Sequence, residues 1–118
     1  RKRVLAKHRK HVGWRILNRS VAADDTWLSN AYGRPITAIT LHQNYTLPCW
    51  DYFRDIEPIY RDHDGRPHWG KKHSMKAAQL RGQYPMWERF QEVRRRLDPE
   101  GMFLNEYTRG LLVEDAES

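Results

Sequence analysis

Residues 12–21 have the sequence VGWRILNRSV, in which polar and apolar side chains alternate. Alternation with a period of two is the pattern of a β-strand. Such a strand has two faces, Val12, Trp14, Ile16 and Asn18 on one and Gly13, Arg15, Leu17, Arg19 and Val21 on the other. Residues 36–42, ITAITLH, are rich in β-branched side chains and predict a second strand. Its Ile36, Ala38, Thr40 and His42 would share one face.

A sheet of two strands is marginal in water and leaves open edges. The flanking segments supply helices that need a surface to pack on: residues 1–11 predict a helix end stopped at Gly13, and residues 48–112 are mostly helical. We therefore expect an α+β fold in which a few antiparallel strands, the 12–42 strand pair among them, are packed by short helices. Further strands are expected in an upstream region of a larger protein.

Three helices are predicted within residues 48–112. Pro48 opens the first, whose apolar positions recur at helical spacing, and Pro58 should kink or shorten it. Pro85 opens the second, and residues 98–101 end it. A last short helix precedes an acidic tail. The predicted apolar positions are Trp50, Phe53, Ile56 and Tyr60 in the first helix, Met86, Phe90, Val93 and Leu97 in the second, and Phe103, Leu104, Tyr107, Leu111 and Leu112 in the third.

Composition excludes several classes of protein. The 118 residues contain one cysteine, Cys49, so a disulfide scaffold is excluded and a reducing compartment is mildly favoured. No apolar run approaches the roughly 20 residues that cross a membrane. The chain begins with arginine and has nothing like a signal peptide, so we expect a cytoplasmic piece of a longer protein, with peripheral membrane association left open.

The net charge of +6 is concentrated at one end. Residues 1–19 hold eight basic residues and no acidic one, whereas the remainder has 13 basic and 15 acidic residues. A basic end is compatible with nucleic-acid or anionic-membrane binding, and equally with a solvated helix terminus. No nucleic-acid motif accompanies the charge, so no nucleic-acid partner is expected.

Residues 65–73, GRPHWGKKH, are the densest group of chemically useful side chains. Two glycines, a stiffening proline, a tryptophan ring and a lysine suit an anionic or conjugated ligand. His63, His68 and His73 lie five residues apart, which is not a zinc spacing, so no metal is expected. Asp24 and Asp25 are adjacent and would point apart in an extended segment, which favours a turn role.

Four motifs in order resemble one family. They are RSVAADDTWLS at 19–29, GRPHWGK at 65–71, Tyr-Pro-x-Trp-x-Arg-Phe at 84–90, and Arg-x-x-Leu-Asp-Pro-x-Gly-x-Phe-Leu-Asn-x-Tyr at 94–107. Together they are similar to the C-terminal part of the sugar-1,4-lactone oxidases, which include D-arabinono- and L-gulono-1,4-lactone oxidases and dehydrogenases, with alditol oxidases as relatives. The resemblance covers residues 15–112.

The resemblance implies an FAD-dependent oxidoreductase of the vanillyl-alcohol-oxidase fold group, acting on the CH–OH group of a sugar lactone or polyol. In that group an upstream FAD-binding domain holds most of the cofactor, and the C-terminal part caps the flavin and binds the sugar. This chain would be the closing quarter of such an enzyme. Alone, it is not expected to bind FAD stably or to be active.

The resemblance also implies site residues. Lys71 would lie near the flavin and substrate, Arg19 beside the reacting hydroxyl, and His42 facing the sugar. His68 and Trp69 would shape the flavin-facing loop, and Asn105 would close the flavin site through hydrogen bonds.

The sequence departs from the family at one position. The family has an acid two residues before the arginine, on the same strand face, and here that position is Leu17. Either another group takes the role of that acid, or the protein's substrate differs from the family's, or its activity is weak. An inactive truncated fragment and a basic nucleic-acid-binding module through residues 1–19 are the alternatives.

Overall fold

The computed structural model describes residues 2–10, 12–13 and 15–113. Five helices and two strands occur within these residues. In chain order they are α1 (Lys2–Lys7), β1 (Leu17–Val21), β2 (Ile36–Thr40), α2 (Trp50–Arg61), α3 (Ala77–Arg81), α4 (Trp87–Leu97) and α5 (Glu106–Leu112). The α+β prediction is confirmed. Arg1, His11 and Trp14 lie outside the described residues, so the predicted placements of these three are not assessed.

The sheet is an antiparallel pair in which Leu17 lies opposite Thr40 and Arg19 lies opposite Ala38. Alternate residues of β2 are half-buried, and the residues between them are exposed, as period-two geometry requires. All five residues of β1 are exposed. Both strands are shorter than predicted, because regular pairing begins at Leu17 and ends at Thr40.

Helix α1 packs on α2 through a small apolar cluster and an ion-pair group. Val4, Tyr52 and Ile56 form the buried cluster. Above it the Asp55 carboxylate accepts hydrogen bonds from Arg3 Nη2 at 2.8 Å and from His8 Nε2 at 2.8 Å. Part of the basic end therefore pairs with an acid of the same chain.

The C-terminal half contains the larger core. Met75, Ala77, Leu80, Tyr84, Trp87 and Leu111 are buried together, and Leu28, Trp69 and Leu112 pack against them. This core joins α3, α4 and α5 to the loop that follows β1. It places residues 65–71 on a rigid base.

Three helix predictions differ from the structure in detail. Helix α2 continues through Pro58 to Arg61, so the proline does not shorten the helix, and the alternative of a kink at Pro58 stays a prediction. In α4 the buried residues are Trp87 and Gln91, and Leu97 is 72% exposed. The polar Gln91 turns inward because its Nε2 donates to the Leu112 carbonyl at 2.6 Å. Helix α1 also ends well before Gly13, at Lys7.

Candidate functional site

The base of the loop at residues 65–71 is held by Arg66. Its guanidinium group lies over the Tyr84 ring, 5.3 Å from the centroid, and donates to four backbone carbonyls from two other segments. Burial is the main cause that lowers the pKa of Arg66, and the nearby Arg34 adds to it. The four acceptors are the carbonyls of Gln83 at 2.9 Å, Ser29 at 3.4 Å, Asn30 at 3.2 Å and Tyr32 at 3.0 Å.

The middle of the loop is held by Trp69. Its indole Nε1 donates to the Leu28 carbonyl at 2.8 Å, and its ring packs on Tyr84 with centroids 5.1 Å apart. The Tyr107 hydroxyl, on α5, donates to the Trp69 carbonyl at 2.5 Å. The Asn30 amide donates to the loop backbone at Arg66 and Pro67, at 2.8 and 2.9 Å. The loop is therefore fixed between α5 and the segment before β2.

The tip of the loop carries the exposed polar groups His68 and Lys71. His68 Nδ1 accepts a hydrogen bond from the Gly70 N–H at 3.0 Å, so Nδ1 is unprotonated and the neutral ring carries its proton on Nε2. Within the part of the chain that the structure describes, the Lys71 ammonium group has no hydrogen bond or ion pair. The neighbouring Lys72 lies over the Trp50 ring, 5.0 Å from its centroid.

Asn105 is the N-cap of α5, close to this loop through Tyr107. Its Oδ1 accepts hydrogen bonds from the Thr108 N–H at 2.8 Å and from the Thr108 hydroxyl at 3.0 Å. Because Oδ1 is engaged in the cap, the Nδ2 group is the part of this side chain left to contact a ligand.

Arg19 and His42 lie on the strand pair. Arg19 is exposed in β1 opposite Ala38, so its side chain shares the face of Ala38. His42 follows β2, and its Nδ1 lies 3.2 Å from the Arg15 carbonyl. A carbonyl can only accept, so Nδ1 carries the proton and Nε2 has the free lone pair. Leu17, 36% exposed, shares the face of Arg19, and neither strand contains an acidic residue.

The structure brings the predicted site residues together in two groups. His68, Trp69 and Lys71 share the loop, and Asn105 joins them through α5; Arg19 and His42 share the strand pair. Among the described residues, no hydrogen bond or ion pair connects one group with the other. A cleft of about 370 Å³ has an almost wholly apolar lining, and Trp69 is its single member from the predicted site. A polar sugar does not suit that cleft.

Three of the residues that position the loop are not singled out for that role by the sequence. Arg66 and Tyr84 are members of motifs, and Asn30 lies one residue after the motif at 19–29. The partners of the half-buried Arg66 are all backbone carbonyls, so no complementary acid in the sequence indicates its role. The turn role predicted for Asp24 is confirmed, since its carboxylate accepts from the Thr26 N–H at 3.0 Å and from the Ser29 hydroxyl at 2.5 Å.

The histidines with five-residue spacing do not form a cluster. No group of three potential metal ligands occurs among residues 2–10, 12–13 and 15–113. Burial lowers the pKa of His73, which favours its neutral form. In the same described ranges, every helix is too short or too polar to cross a bilayer.

Comparison with known proteins identifies the chain's family. The D-arabinono-1,4-lactone oxidase family model matches residues 2–111. The L-gulono-1,4-lactone dehydrogenase of Mycobacterium tuberculosis is 53% identical over 91 residues, which are 77% of this chain and 21% of that protein. The alditol oxidase of a Streptomyces species is 39% identical over 97 residues, covering 80% of this chain and 23% of that protein.

The similarity extends to animal relatives. The L-gulonolactone oxidase of Mus musculus is 34% identical over 111 residues, which are 90% of this chain and 25% of that protein. These are sugar-lactone and polyol oxidoreductases by name. The chain belongs to the D-arabinono-1,4-lactone oxidase family, as its motifs indicated. It spans about a quarter or less of the length of the relatives it matches.

Proposed function

We propose that this chain is the substrate- and flavin-covering part of an FAD-dependent sugar-1,4-lactone oxidase or dehydrogenase. The supporting observation is the loop at 65–71, whose base is fixed by Arg66 and Trp69 while Lys71 remains exposed at its tip. FAD would be held mainly by a domain outside these residues. Neither alternative, the basic module or the inactive fragment, has a supporting observation of this kind.

The donor groups at the loop tip fit a flavin. When bound, FAD supplies the acceptor for a hydride from the sugar C–H bond. Lys71 would offer a positive charge where negative charge develops on the flavin, and electrostatic stabilisation of this kind is often the largest single contribution to catalysis. His68 would donate from Nε2, and the Asn105 Nδ2 group would donate a further hydrogen bond to the flavin. Because Arg66 and Trp69 hold the loop, the backbone at Lys71 would need little reorganisation.

The strand pair supplies the groups for the substrate hydroxyl. Arg19 would donate hydrogen bonds to the reacting oxygen and stabilise its negative charge. Leu17 has no proton-accepting group, so the acid of the family pattern has no equivalent at that position. The His42 imidazole, with its lone pair on Nε2, is the group that would take up the hydroxyl proton.

The first experiment tests Lys71 in a family-length protein that contains these residues. We expect a bound flavin that is bleached anaerobically by L-gulono-1,4-lactone, D-arabinono-1,4-lactone or a polyol. Lys71→Met should slow that bleaching about a hundredfold, because a charge aimed at the reacting ring is lost. Lys72→Met is the matched control, since Lys72 lies over Trp50. Bound flavin that no lactone or polyol reduces would refute the proposed activity.

The second experiment tests His42 as the proton acceptor. His42→Gln should lower kcat by at least about a hundredfold, because glutamine keeps a polar side chain but cannot take up the hydroxyl proton. His63→Gln, at an exposed position beyond α2, is the control and should leave kcat unchanged. An unchanged kcat in His42→Gln would assign the proton transfer to another group.

A further inference from the structure

An apolar turn follows α4 and holds three large side chains in solvent. Leu97, Met102 and Phe103 are 72%, 83% and 85% exposed. Soluble proteins rarely concentrate such side chains at one place unless another surface covers them. We name these three residues the apolar turn.

Hydrogen bonds hold the backbone of the apolar turn in a defined conformation. The buried carboxylate of Asp98 accepts hydrogen bonds from the Met102 N–H at 2.7 Å and the Phe103 N–H at 3.1 Å. Gly101 takes a φ of 69°, a conformation that favours glycine. An acid at the base thus fixes the backbone so that Met102 and Phe103 point outward, as expected for a preformed contact surface.

We propose that the apolar turn docks against an apolar surface, with a rim of both charges, in the part of the family-length protein that lies outside these 118 residues. This inference rests on the proposed function, in which the chain works within that longer protein. The relatives are four to five times longer than the segment they share with this chain, so an intramolecular partner of sufficient size is available. The family match extends over the whole turn.

The size of the turn favours an intramolecular partner over a second copy. Three large side chains bury on the order of 500 Å². A stable interface between separate molecules needs roughly 800 Å² from each partner. A covalently connected partner needs less, because its effective concentration is already high.

The charges around the turn favour a protein partner over a lipid surface. Arg95 and Arg96 are exposed at the end of α4, but Glu100 and Glu106 are exposed nearby. A mixed rim around an apolar centre is typical of protein interfaces. An anionic bilayer would attract the arginines and repel both acids.

Methionine oxidation tests the inference in the monomeric family-length protein. Met102 is the probe, Met75 is the buried reference at 4% exposure, and N-acetylmethionine amide is the free reference. After limited peroxide treatment, mass spectrometry of the Met102 peptide should show oxidation at least about tenfold slower than that of the free reference. Phe103→Ser should restore Met102 reactivity, whereas Tyr45→Ser, at a position 97% exposed, should not.

Several results would overturn the inference. Met102 reacting at the free rate in the monomer would show that nothing covers the turn. Protection that appears only at concentrations where dimers form would assign the surface to a second copy. Protection only with phosphatidylserine vesicles would assign it to a membrane. Flavin content and lactone reduction are measured on the same sample, so a failure of the proposed activity is distinguishable from a failure of docking.

Discussion

The guanidinium group of Arg66 joins three segments of the chain, since it donates to carbonyls before β2 and after α3 from within the loop at 65–71. Its planar fork presents five N–H donors in fixed directions, whereas a lysine ammonium offers three donors at one point on a flexible stem. Removing it leaves partly buried carbonyls without donors. The position of Lys71 therefore depends on a residue that touches neither substrate nor cofactor.

Arg66→Lys should lower the free energy of unfolding by roughly 2–3 kcal/mol, through lost hydrogen bonds and unsatisfied carbonyls. Urea denaturation followed by tryptophan fluorescence measures the change, and Trp69 lies within the affected loop. Arg9→Lys, at an exposed position, is the matched control and should not move the midpoint. Equal midpoints for the two variants would show that Arg66 does not hold the loop.

The motif at 65–71 contains Arg66, Trp69 and Lys71, so the sequence identifies the loop and these side chains. It does not show what the Arg66 guanidinium group binds. The partners of Arg66 are backbone carbonyls brought together by the fold, and no residue type marks them in advance. Arg19 and His42 were placed by alternation, and the ladder register assigns Arg19 to the face of Ala38.

Two kinds of contact hold α1 on α2: a small buried apolar cluster, and one carboxylate that pairs with several basic side chains. Hydrogen bonding from Arg3, and then from His8, holds the pKa of the Asp55 carboxyl well below its usual range. Lys7 Nζ lies 3.7 Å from the same carboxylate. The native state therefore keeps Asp55 charged at pH values where the unfolded chain has already taken up a proton.

Asp55→Asn should loosen α1 while leaving the larger C-terminal core intact. The stabilisation from Asp55 is complete above the unfolded pKa of about 3.9 and is lost as the pH falls below that value, because the folded pKa is depressed. The protection factors of the amides in residues 4–8, which are exchange rates corrected for the intrinsic rate at each pH, should therefore fall at acidic pH in the parent. In Asp55→Asn they should be low already at neutral pH.

Asp51→Asn provides the comparison, since Asp51 is exposed in the first turn of the same helix. It should keep the parent's pH dependence. Slow exchange of residues 4–8 in Asp55→Asn at neutral pH would mean that apolar contacts alone hold α1 in place.

Helix α4 shows why periodicity located helices more reliably than their buried faces. The helix spans Trp87–Leu97, close to the prediction, but its buried residues include Gln91. Sequence reasoning assigns glutamine to the surface, yet here its amide donates to a carbonyl at the end of α5. Leu97 is one of the predicted apolar positions of this helix, yet it is exposed. Helical periodicity places Leu97 on a face, but whether that face is buried depends on the elements packed around the helix.

At the scale of the described residues together, the turn after α4 and the strand pair are two of the apolar surfaces left exposed. All five residues of β1 are exposed, and Ile39 of β2 is 44% exposed. In the described residues β1 pairs with β2 alone, so each strand has a second edge without a ladder partner. Open strand edges with apolar side chains favour association between copies.

Ile39→Lys should therefore reduce self-association of the 118-residue chain. Thr37→Lys is the control, because Thr37 is exposed on the same strand and its substitution makes the same change in charge without removing an apolar side chain. Light scattering as a function of concentration should show a severalfold smaller signal for Ile39→Lys and a smaller reduction for Thr37→Lys. Equal reductions would show that added charge, and not the exposed isoleucine, controls association.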